Sequence, residues 1–182
     1  MPDTRMPQTF SVLCFLSSQK SVRMNIFFLD ICPFKAGRMH CDKHIVKMIL
    51  EYGQMLSTTH RILDDNKHPL LYKSAFINHP STKWVRKCWR HYVYLFDLWT
   101  ECLNEYRRRY NKIHKAEEMI YVLKELPQNF PSVIWENPPQ CMPNQYKKPF
   151  YVDAYREFYI KDKSRFAKWK LETPQWYQNA IS

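Results

Sequence analysis

Glycine is almost absent from this chain, which contains two glycines in 182 residues. Tight turns and phosphate-cradling loops depend on glycine, because it reaches backbone conformations that other residues avoid. The scarcity therefore argues against a β-rich fold and against a dinucleotide-binding or phosphate-loop site. Long stretches without turn residues, with apolar residues three and four positions apart, predict an all-α fold instead.

The sequence also lacks any apolar run of the roughly 18 residues that a membrane-spanning helix needs. Its six cysteines are scattered along the chain, without the close pairs that are typical of zinc sites and redox motifs. We therefore predict a cytoplasmic protein with reduced thiols and no membrane partner. A Gly-x-Ser-x-Gly nucleophile elbow is absent as well, which argues against a serine hydrolase of that type.

Acidic residues are few compared with basic ones. The chain has 17 Asp and Glu against 28 Lys and Arg, which gives a formal net charge of +11. Such an excess favours a polyanionic partner, because binding releases the counterions that the polyanion had condensed. DNA is the partner we expect, with RNA as an open alternative.

Residues 1–23 carry neither a helical nor a strand pattern, and we predict a disordered leader or a start assigned too early. Residues 24–182 are expected to form one helical domain that begins at Met24. The periodicity predicts a bundle of about four helices, near residues 38–59, 79–110, 115–126 and 152–170. A long Pro-rich segment between the third and fourth helices is expected to be either a functional lid or a packed wrap.

The stretch from residue 40 to residue 51 is the most informative part of the chain. At about 100° per residue, a helix here collects polar side chains into one narrow stripe, formed by His40, Lys43, His44, Lys47, Glu51, Gln54 and Thr58. The apolar side would consist of Ile45, Val46, Ile49, Leu50, Tyr52 and Leu56. Imidazoles, amines and a carboxylate on one face could carry out proton transfer. An ordinary exposed face with ion pairs four residues apart is the alternative.

If the polar stripe lines a pocket, Glu51 is the expected general base or the stabiliser of a cationic sugar. His44 and His40 would then move protons, and Lys47 or Lys43 would act as an amine nucleophile or a phosphate anchor. The two histidines are also spaced to share a metal ion, but the carboxylate of the His-Glu-x-x-His zinc pattern is missing. No metal and no cofactor are therefore predicted.

Basic and aromatic residues are interleaved in several places along the chain. Phosphates attract cations and unstacked bases stack on rings, so this pattern suits single-stranded or distorted nucleic acid. The residues predicted to contact it are Arg86, Arg107, Arg108, Arg109, Tyr110, Lys112, His114, Arg156 and Lys163. Cations at the end of a helix are also favoured by the helix dipole, which is the alternative for residues 107–109.

Several blocks of the sequence occur together in a recognisable order. They are Met24 to Asp30, Ala36, His40 to Glu51 with Gln54, His79-Pro80, Trp84-Val85-Arg86, Glu105-Tyr106, Arg109-Tyr110, His114, Met142-Pro143, Tyr155-Arg156, Tyr159, Lys163 and Trp169. In this combination the chain resembles a family of small, uncharacterised proteins that are common in bacteriophage genomes. The resemblance covers nearly everything after residue 23.

That phage family is loosely similar to small all-helical pyrimidine-dimer DNA glycosylases. The closing segment Pro174-Gln175-Trp176-Tyr177 is similar to the aromatic end with which those glycosylases hold damaged DNA. The resemblance therefore implies nucleic-acid contacts for Trp176 and Tyr177, and a cytoplasmic location in the infected bacterial host.

Two functions from different classes follow. The first is a phage-type DNA-processing enzyme, a base glycosylase or lyase or a base-modifying enzyme, that acts on a base extruded from the stack. The second is a non-catalytic nucleic-acid-binding accessory protein, in which the polar stripe only grips phosphates. Replacement of Glu51 by Gln separates them, because it should abolish catalysis without abolishing binding.

Overall fold

The computed structural model describes residues 24–182, and over this range the chain is all-α, with no β-strand. The described α-helices are α1 (Pro33–Met39), α2 (Asp42–Leu63), α3 (Pro80–Val85), α4 (Trp89–Tyr110), α5 (Ile120–Leu123), α6 (Tyr151–Phe158) and α7 (Gln175–Ile181). Two 3₁₀ helices (Lys115–Met119 and Asn144–Tyr146) and a π-helix (Tyr159–Lys163) complete them. The predicted all-α fold is confirmed, whereas the predicted number of about four helices is wrong. The prediction for residues 1–23 lies outside the described residues.

The two longest helices, α2 and α4, pack against each other, and α1 packs against α4. Both glycines of the chain lie at close helix contacts. A Cβ atom on Gly37 of α1 would come within 2.8 Å of the Cβ and Cγ atoms of Glu101 on α4. One on Gly53 of α2 would lie 3.1 Å from the Met119 side chain. In this fold glycine serves close approach between elements rather than turns.

The segment from Met24 to Leu29 has no regular secondary structure and is almost completely buried. Side chains satisfy its backbone in place of a neighbouring strand. The Phe27 amide donates to the Tyr52 hydroxyl at 3.1 Å, and the Leu29 carbonyl accepts from Arg156 Nε at 2.8 Å. Because buried backbone groups must be paired, these contacts hold the segment inside the helical shell.

The helix predicted for residues 38–59 is divided into α1 and α2. His40 and Cys41 have extended backbone, with ψ angles of 133° and 160°, so His40 does not belong to α2. Arg109 of α4 donates to the carbonyls of Arg38 and His40 at 2.9 and 2.7 Å. A distant side chain therefore satisfies carbonyl groups at the interruption.

The helix predicted for residues 79–110 is divided into α3 and α4, because Cys88 is extended and forms a β-bridge with Ser132. Ser132 belongs to the Pro-rich segment, which is packed against this junction. Trp84 Nε1 donates to the Glu136 carbonyl at 3.0 Å, and the Glu136 amide donates to His91 Nε2 at the same distance. Through these contacts, this part of the Pro-rich segment packs against the protein, as in the second of the two alternatives that the sequence left open.

The last two predicted helices are also shorter than expected. Residues 115–126 form a 3₁₀ helix followed by α5, and the predicted helix 152–170 is α-helical only as far as Phe158. It continues as the π-helix to Lys163, after which the chain is irregular until α7, a helix that was not predicted. Within residues 24–182, no helix is both long and apolar enough to cross a membrane.

Candidate functional site

The polar stripe of α2 is divided by burial into exposed and enclosed members. Lys43 and Lys47 are exposed, whereas His44 and Glu51 are buried. Thr58 is buried as well, and its hydroxyl accepts from the Ala75 amide at 3.1 Å. The outer face of α2 also carries Val46 and Leu50, which are 48% and 46% exposed. The apolar side predicted for this helix is therefore only partly buried.

His40 lies in the core between α1 and α2 and is completely buried. Its Nδ1 bonds the Ala36 carbonyl at 2.7 Å, so Nδ1 must carry the proton and Nε2 must accept from the Tyr52 hydroxyl at 2.8 Å. Burial lowers the pKa of His40 to about 4, against a smaller opposing effect of the Ala36 hydrogen bond. The predicted role of His40 as a proton shuttle on the helix face does not fit this enclosed imidazole, which joins Ala36, Tyr52 and Phe27.

His44 lies near the start of α2 and packs among aromatic rings. Its ring stacks on Phe27 with 4.3 Å between centroids and meets the edge of Phe166 at 5.4 Å. Nδ1 hydrogen-bonds the Tyr159 hydroxyl. Its Nε2 has no hydrogen-bond partner among the described residues, and the residue as a whole is 5% exposed. One ring nitrogen of His44 is therefore held by Tyr159, whereas no described group bonds the other.

Burial is the main cause that lowers the pKa of His44 to about 2, and the charges of His40, Lys163, Lys47 and Lys43 lower it further. The imidazole is consequently neutral throughout the physiological pH range. A neutral ring with such a low pKa is a hydrogen-bonding group rather than the proton shuttle that the sequence suggested.

Tyr159 is a member of this site that sequence reasoning did not identify. It begins the π-helix and is fully buried, and burial raises the pKa of its hydroxyl well above the ordinary value. The wider turn of a π-helix alters which side chains face inward, and such turns are frequent at functional sites. Tyr159 stands among the residues of the phage-family resemblance, but it lies within the regular helix predicted for residues 152–170, and nothing in that pattern indicated a π-helix or a contact with His44.

Glu51 and Lys47 form an ion pair with 2.9 Å between Oε1 and Nζ. The carboxylate side chain is only 10% exposed, whereas that of the lysine is 55% exposed. The second oxygen, Oε2, is buried and has no hydrogen-bond partner among the described residues. Among residues 24–182, one other buried side-chain oxygen lacks a hydrogen-bond partner, Thr82 Oγ1. Thr82 lies on α3, which packs against α2. Unpartnered buried oxygens are uncommon and require an explanation.

Two lysines lie over aromatic rings close to His44. Lys43 Nζ lies 4.9 Å from the Phe166 ring centroid, and Lys163 Nζ lies 4.2 Å from that of Phe158. Lys163 also pairs with Asp162 at 2.7 Å. Of the residues predicted to bind nucleic acid, Lys163 is thus the one that the fold brings to the predicted catalytic residues of α2.

The basic cluster at the end of α4 is largely engaged within the protein. Arg107 pairs with Glu117 and Arg108 pairs with Glu105, although both arginine side chains stay more than half exposed. The Arg109 side chain is 1% exposed and bound to Glu105 and Asp42. The prediction that Arg109 contacts phosphates is therefore not compatible with its enclosure.

The other members of this cluster differ in accessibility. Lys112 is exposed, whereas the Tyr110 hydroxyl donates to the Asp42 carbonyl at 3.3 Å. His114 Nδ1 accepts from the Ala116 amide at 3.1 Å and so caps the 3₁₀ helix, and partial burial lowers its pKa. Lys112 is the member of this group whose amine has no described ion pair.

The remaining predicted contacts serve the fold. Arg86 donates to the Ile77 carbonyl at 2.6 Å, and Arg156 pairs with Asp30 and lies over the Trp176 ring. Trp176 is partly buried, and its Nε1 donates to the sulfur of Met39 at 3.3 Å. Tyr177 is 4% exposed and packs against Trp169. The expectation that Tyr177 stacks on a base does not fit this packed position.

The described residues contain no cluster of three His, Cys, Asp or Glu side chains arranged to hold a metal ion. Comparison of the chain with protein-family models gave no match, and comparisons with curated proteins and with solved structures gave none either.

Proposed function

We propose that this protein is a DNA-processing enzyme of the kind that bacteriophages encode, acting on a base extruded from the helix. The reactive group is the Lys47–Glu51 pair on α2, with His44 as a neutral hydrogen-bonding neighbour. The observation that carries the proposal is the half-satisfied Glu51 carboxylate. One oxygen is held by an exposed amine while the other is buried without a described partner.

This pairing suits cleavage of a glycosidic bond. Glu51 takes a proton from the Lys47 ammonium, and the neutral amine then attacks C1′ of the sugar. The bond from C1′ to the base breaks, the base leaves with the electron pair, and it receives the proton that Glu51 holds. Ring opening moves a proton from the new amine to O4′ and leaves an iminium between Lys47 and C1′. Once Glu51 has given its proton to the base, its carboxylate lies next to the positive charge of the iminium and stabilises it.

The surroundings of His44 support a nucleic-acid substrate. Phe166 is an only partly buried ring beside His44, and the charges of Lys43, Lys47 and Lys163 act together on the imidazole. An extruded base can stack on a ring while its flanking phosphates meet cations. The net charge of +11 gives the whole molecule attraction for DNA. The phage-family resemblance of residues 40–51 supports the same class.

Trapping with borohydride tests the proposal. The protein is incubated with DNA that carries damaged or modified bases, and borohydride reduces any iminium to a stable crosslink. We expect a crosslink in the wild type and its loss in Lys47→Met, while Lys43→Met, which changes the neighbouring exposed lysine of the same helix, keeps it. Glu51→Gln should lower the rate by about 10²- to 10⁴-fold, the range for a positioned acid or base, with DNA binding intact.

The alternative of a non-catalytic nucleic-acid-binding protein is favoured by one observation, the convergence of Lys43, Lys47 and Lys163 around His44. In that function Glu51 only orients Lys47 toward a phosphate. The same variants separate the two functions. Wild-type protein without processing of any such DNA, with binding that weakens in Lys47→Met and Lys43→Met alike, would identify the binder.

A further inference from the structure

A groove of about 690 Å³ lies between α1, the C-terminal part of α4 and residues 170–178. Its lining includes neither His44 nor either member of the Lys47–Glu51 pair. Its lining includes the cations of Lys35, Arg38, Arg108 and Lys170 and the carboxylates of Glu105 and Glu172. Three separate elements therefore contribute cations to one open depression.

Two arginines of the groove, Arg38 and Arg108, are each held in place by an ion pair with a buried carboxylate. Arg38 Nε donates to Glu101 Oε1 at 2.7 Å, and the Glu101 side chain is 7% exposed whereas that of Arg38 is 62% exposed. Arg108 donates through Nη1 to Glu105, which is 2% exposed. The remaining N–H groups of both guanidinium forks have no hydrogen-bond partner within residues 24–182. A guanidinium that is held by one edge and open at the other is suited to an oxyanion such as phosphate.

Two lysines add charge that the described protein does not neutralise. Lys35 and Lys170 are exposed and form no ion pair with a described residue. Lys170 Nζ lies 4.9 Å from the Tyr110 ring centroid, and this cation–π contact holds the lysine amine beside α4. Of the lining carboxylates, Glu105 is already occupied by Arg108 and Arg109, and Glu172 is exposed. The groove therefore keeps a positive excess on several sides.

We propose that this groove binds the backbone phosphates of a nucleic-acid strand. Its cations come from three elements around an open depression, and this distribution fits successive phosphates of a strand better than one terminal phosphate group. The proposal rests on the proposed function for the source of those phosphates. The groove would be a second contact region, separate from the α2 site, that strengthens binding but takes no part in catalysis.

Charge reversal of the two unpaired lysines tests the groove without disturbing the buried carboxylates. The variant Lys35→Glu/Lys170→Glu is compared with Lys67→Glu/Lys73→Glu, which changes the net charge equally at exposed lysines that do not line the groove. Binding of a fluorescent single-stranded oligonucleotide is measured by anisotropy over a series of salt concentrations. We expect the groove variant to lose about tenfold or more in affinity and its salt slope to fall by about 1.4, at about 0.7 per lost phosphate contact. The control should lose about threefold or less through the general field.

Equal losses in the two double variants, or no measurable binding by the wild type, would overturn the groove proposal. Competition with pyrophosphate distinguishes a strand from a small phosphorylated molecule. Displacement of the oligonucleotide by pyrophosphate at equal concentration would reject the strand as occupant. Borohydride trapping reports on the α2 site independently. If the wild type is trapped but the groove variant binds the oligonucleotide normally, only the groove proposal is rejected. If the groove variant binds more weakly but the wild type processes no DNA, only the proposed enzymatic function is rejected.

Discussion

Arg109 Nη2 donates to Glu105 Oε2 at 2.7 Å in the interior of the protein, where the two side chains are 1% and 2% exposed. The same guanidinium donates to the carbonyls of Arg38 and His40 and to the Asp42 carboxylate. One arginine of α4 thereby joins the end of α1 to the beginning of α2. The pair should be costly to break, because removal of one partner leaves a buried charge without water or counterion.

Arg109→Ala should lower the free energy of unfolding by about 3–5 kcal/mol. Arg107→Ala is the matched control, because Arg107 lies two residues away on α4 and pairs with Glu117 while more than half exposed. Its loss should cost about 1 kcal/mol or less. Urea denaturation measures both. Equal costs would mean that the burial of Arg109 does not control its contribution.

Two adjacent apolar residues of α2 should respond very differently to truncation. Ile49 is completely buried and Leu50 is 46% exposed. Ile49→Ala should cost about 2–5 kcal/mol through lost contacts and a cavity. Leu50→Ala should change stability by about 0.5 kcal/mol or less, as for other surface positions. Thermal unfolding followed by circular dichroism distinguishes them, and similar costs would contradict the orientation of α2.

The sequence predicted the all-α class and the burial of residues such as Ile45 and Ile49, because helical periodicity and glycine scarcity are local properties. It did not predict that Leu50 is exposed, since hydrophobicity alone does not select which apolar residues face a neighbour. The interruption at His40 was invisible because its carbonyl is satisfied by Arg109, 69 residues away. Such long-range compensation has no local sequence signal.

For the candidate site as well, the sequence predicted the local contacts but not the long-range ones. The spacing of Lys47 and Glu51 predicts their ion pair, because residues four apart on a helix are neighbours. The partner of His44 was not predictable, since Tyr159 lies 115 residues away and reaches it from a π-helix. The sequence therefore supplied the groups on α2 but not the groups that face them.

Stability should fall in mildly acidic solution because of His40. Its folded pKa of about 4 lies below the ordinary value of 6.5, so between these values the unfolded chain binds a proton that the folded protein does not. The free energy of unfolding is therefore unaffected by the titration of His40 above pH 6.5 and decreases as the pH falls toward 4. The total decrease is on the order of 3 kcal/mol, at about 1.36 kcal/mol per pKa unit. His44, with a folded pKa of about 2, acts in the same direction over a wider range.

The free energy of unfolding, measured at a series of pH values, checks this expectation. His40→Gln removes one titrating group and should make the decline between pH 6.5 and 4 shallower than in the wild type. An unchanged decline would show that His40 does not contribute to it.

Tyr159→Phe should affect activity more than its effect on stability suggests. The substitution removes the hydroxyl that holds His44 Nδ1, and we expect a loss of activity of about tenfold or more from a misplaced group at the site. Tyr94→Phe is the control, because its hydroxyl donates to the Asp30 carbonyl at 2.9 Å without touching His44 or Lys47. Each variant should cost about 1–3 kcal/mol of stability. Activity losses of equal size would assign Tyr159 a purely structural role.

The enclosed segment from Met24 to Leu29 constrains how the chain can be made and folded. Asn25 accepts from the Tyr155 hydroxyl, and Leu29 accepts from Arg156, contacts that span 130 and 127 positions. During translation this segment emerges well before the residues that cover it, so its native surroundings cannot form until Tyr155 and Arg156 have left the ribosome. Contacts between residues so far apart in sequence form slowly, and we expect chains that end before Tyr155 to need a chaperone or to stay sensitive to protease.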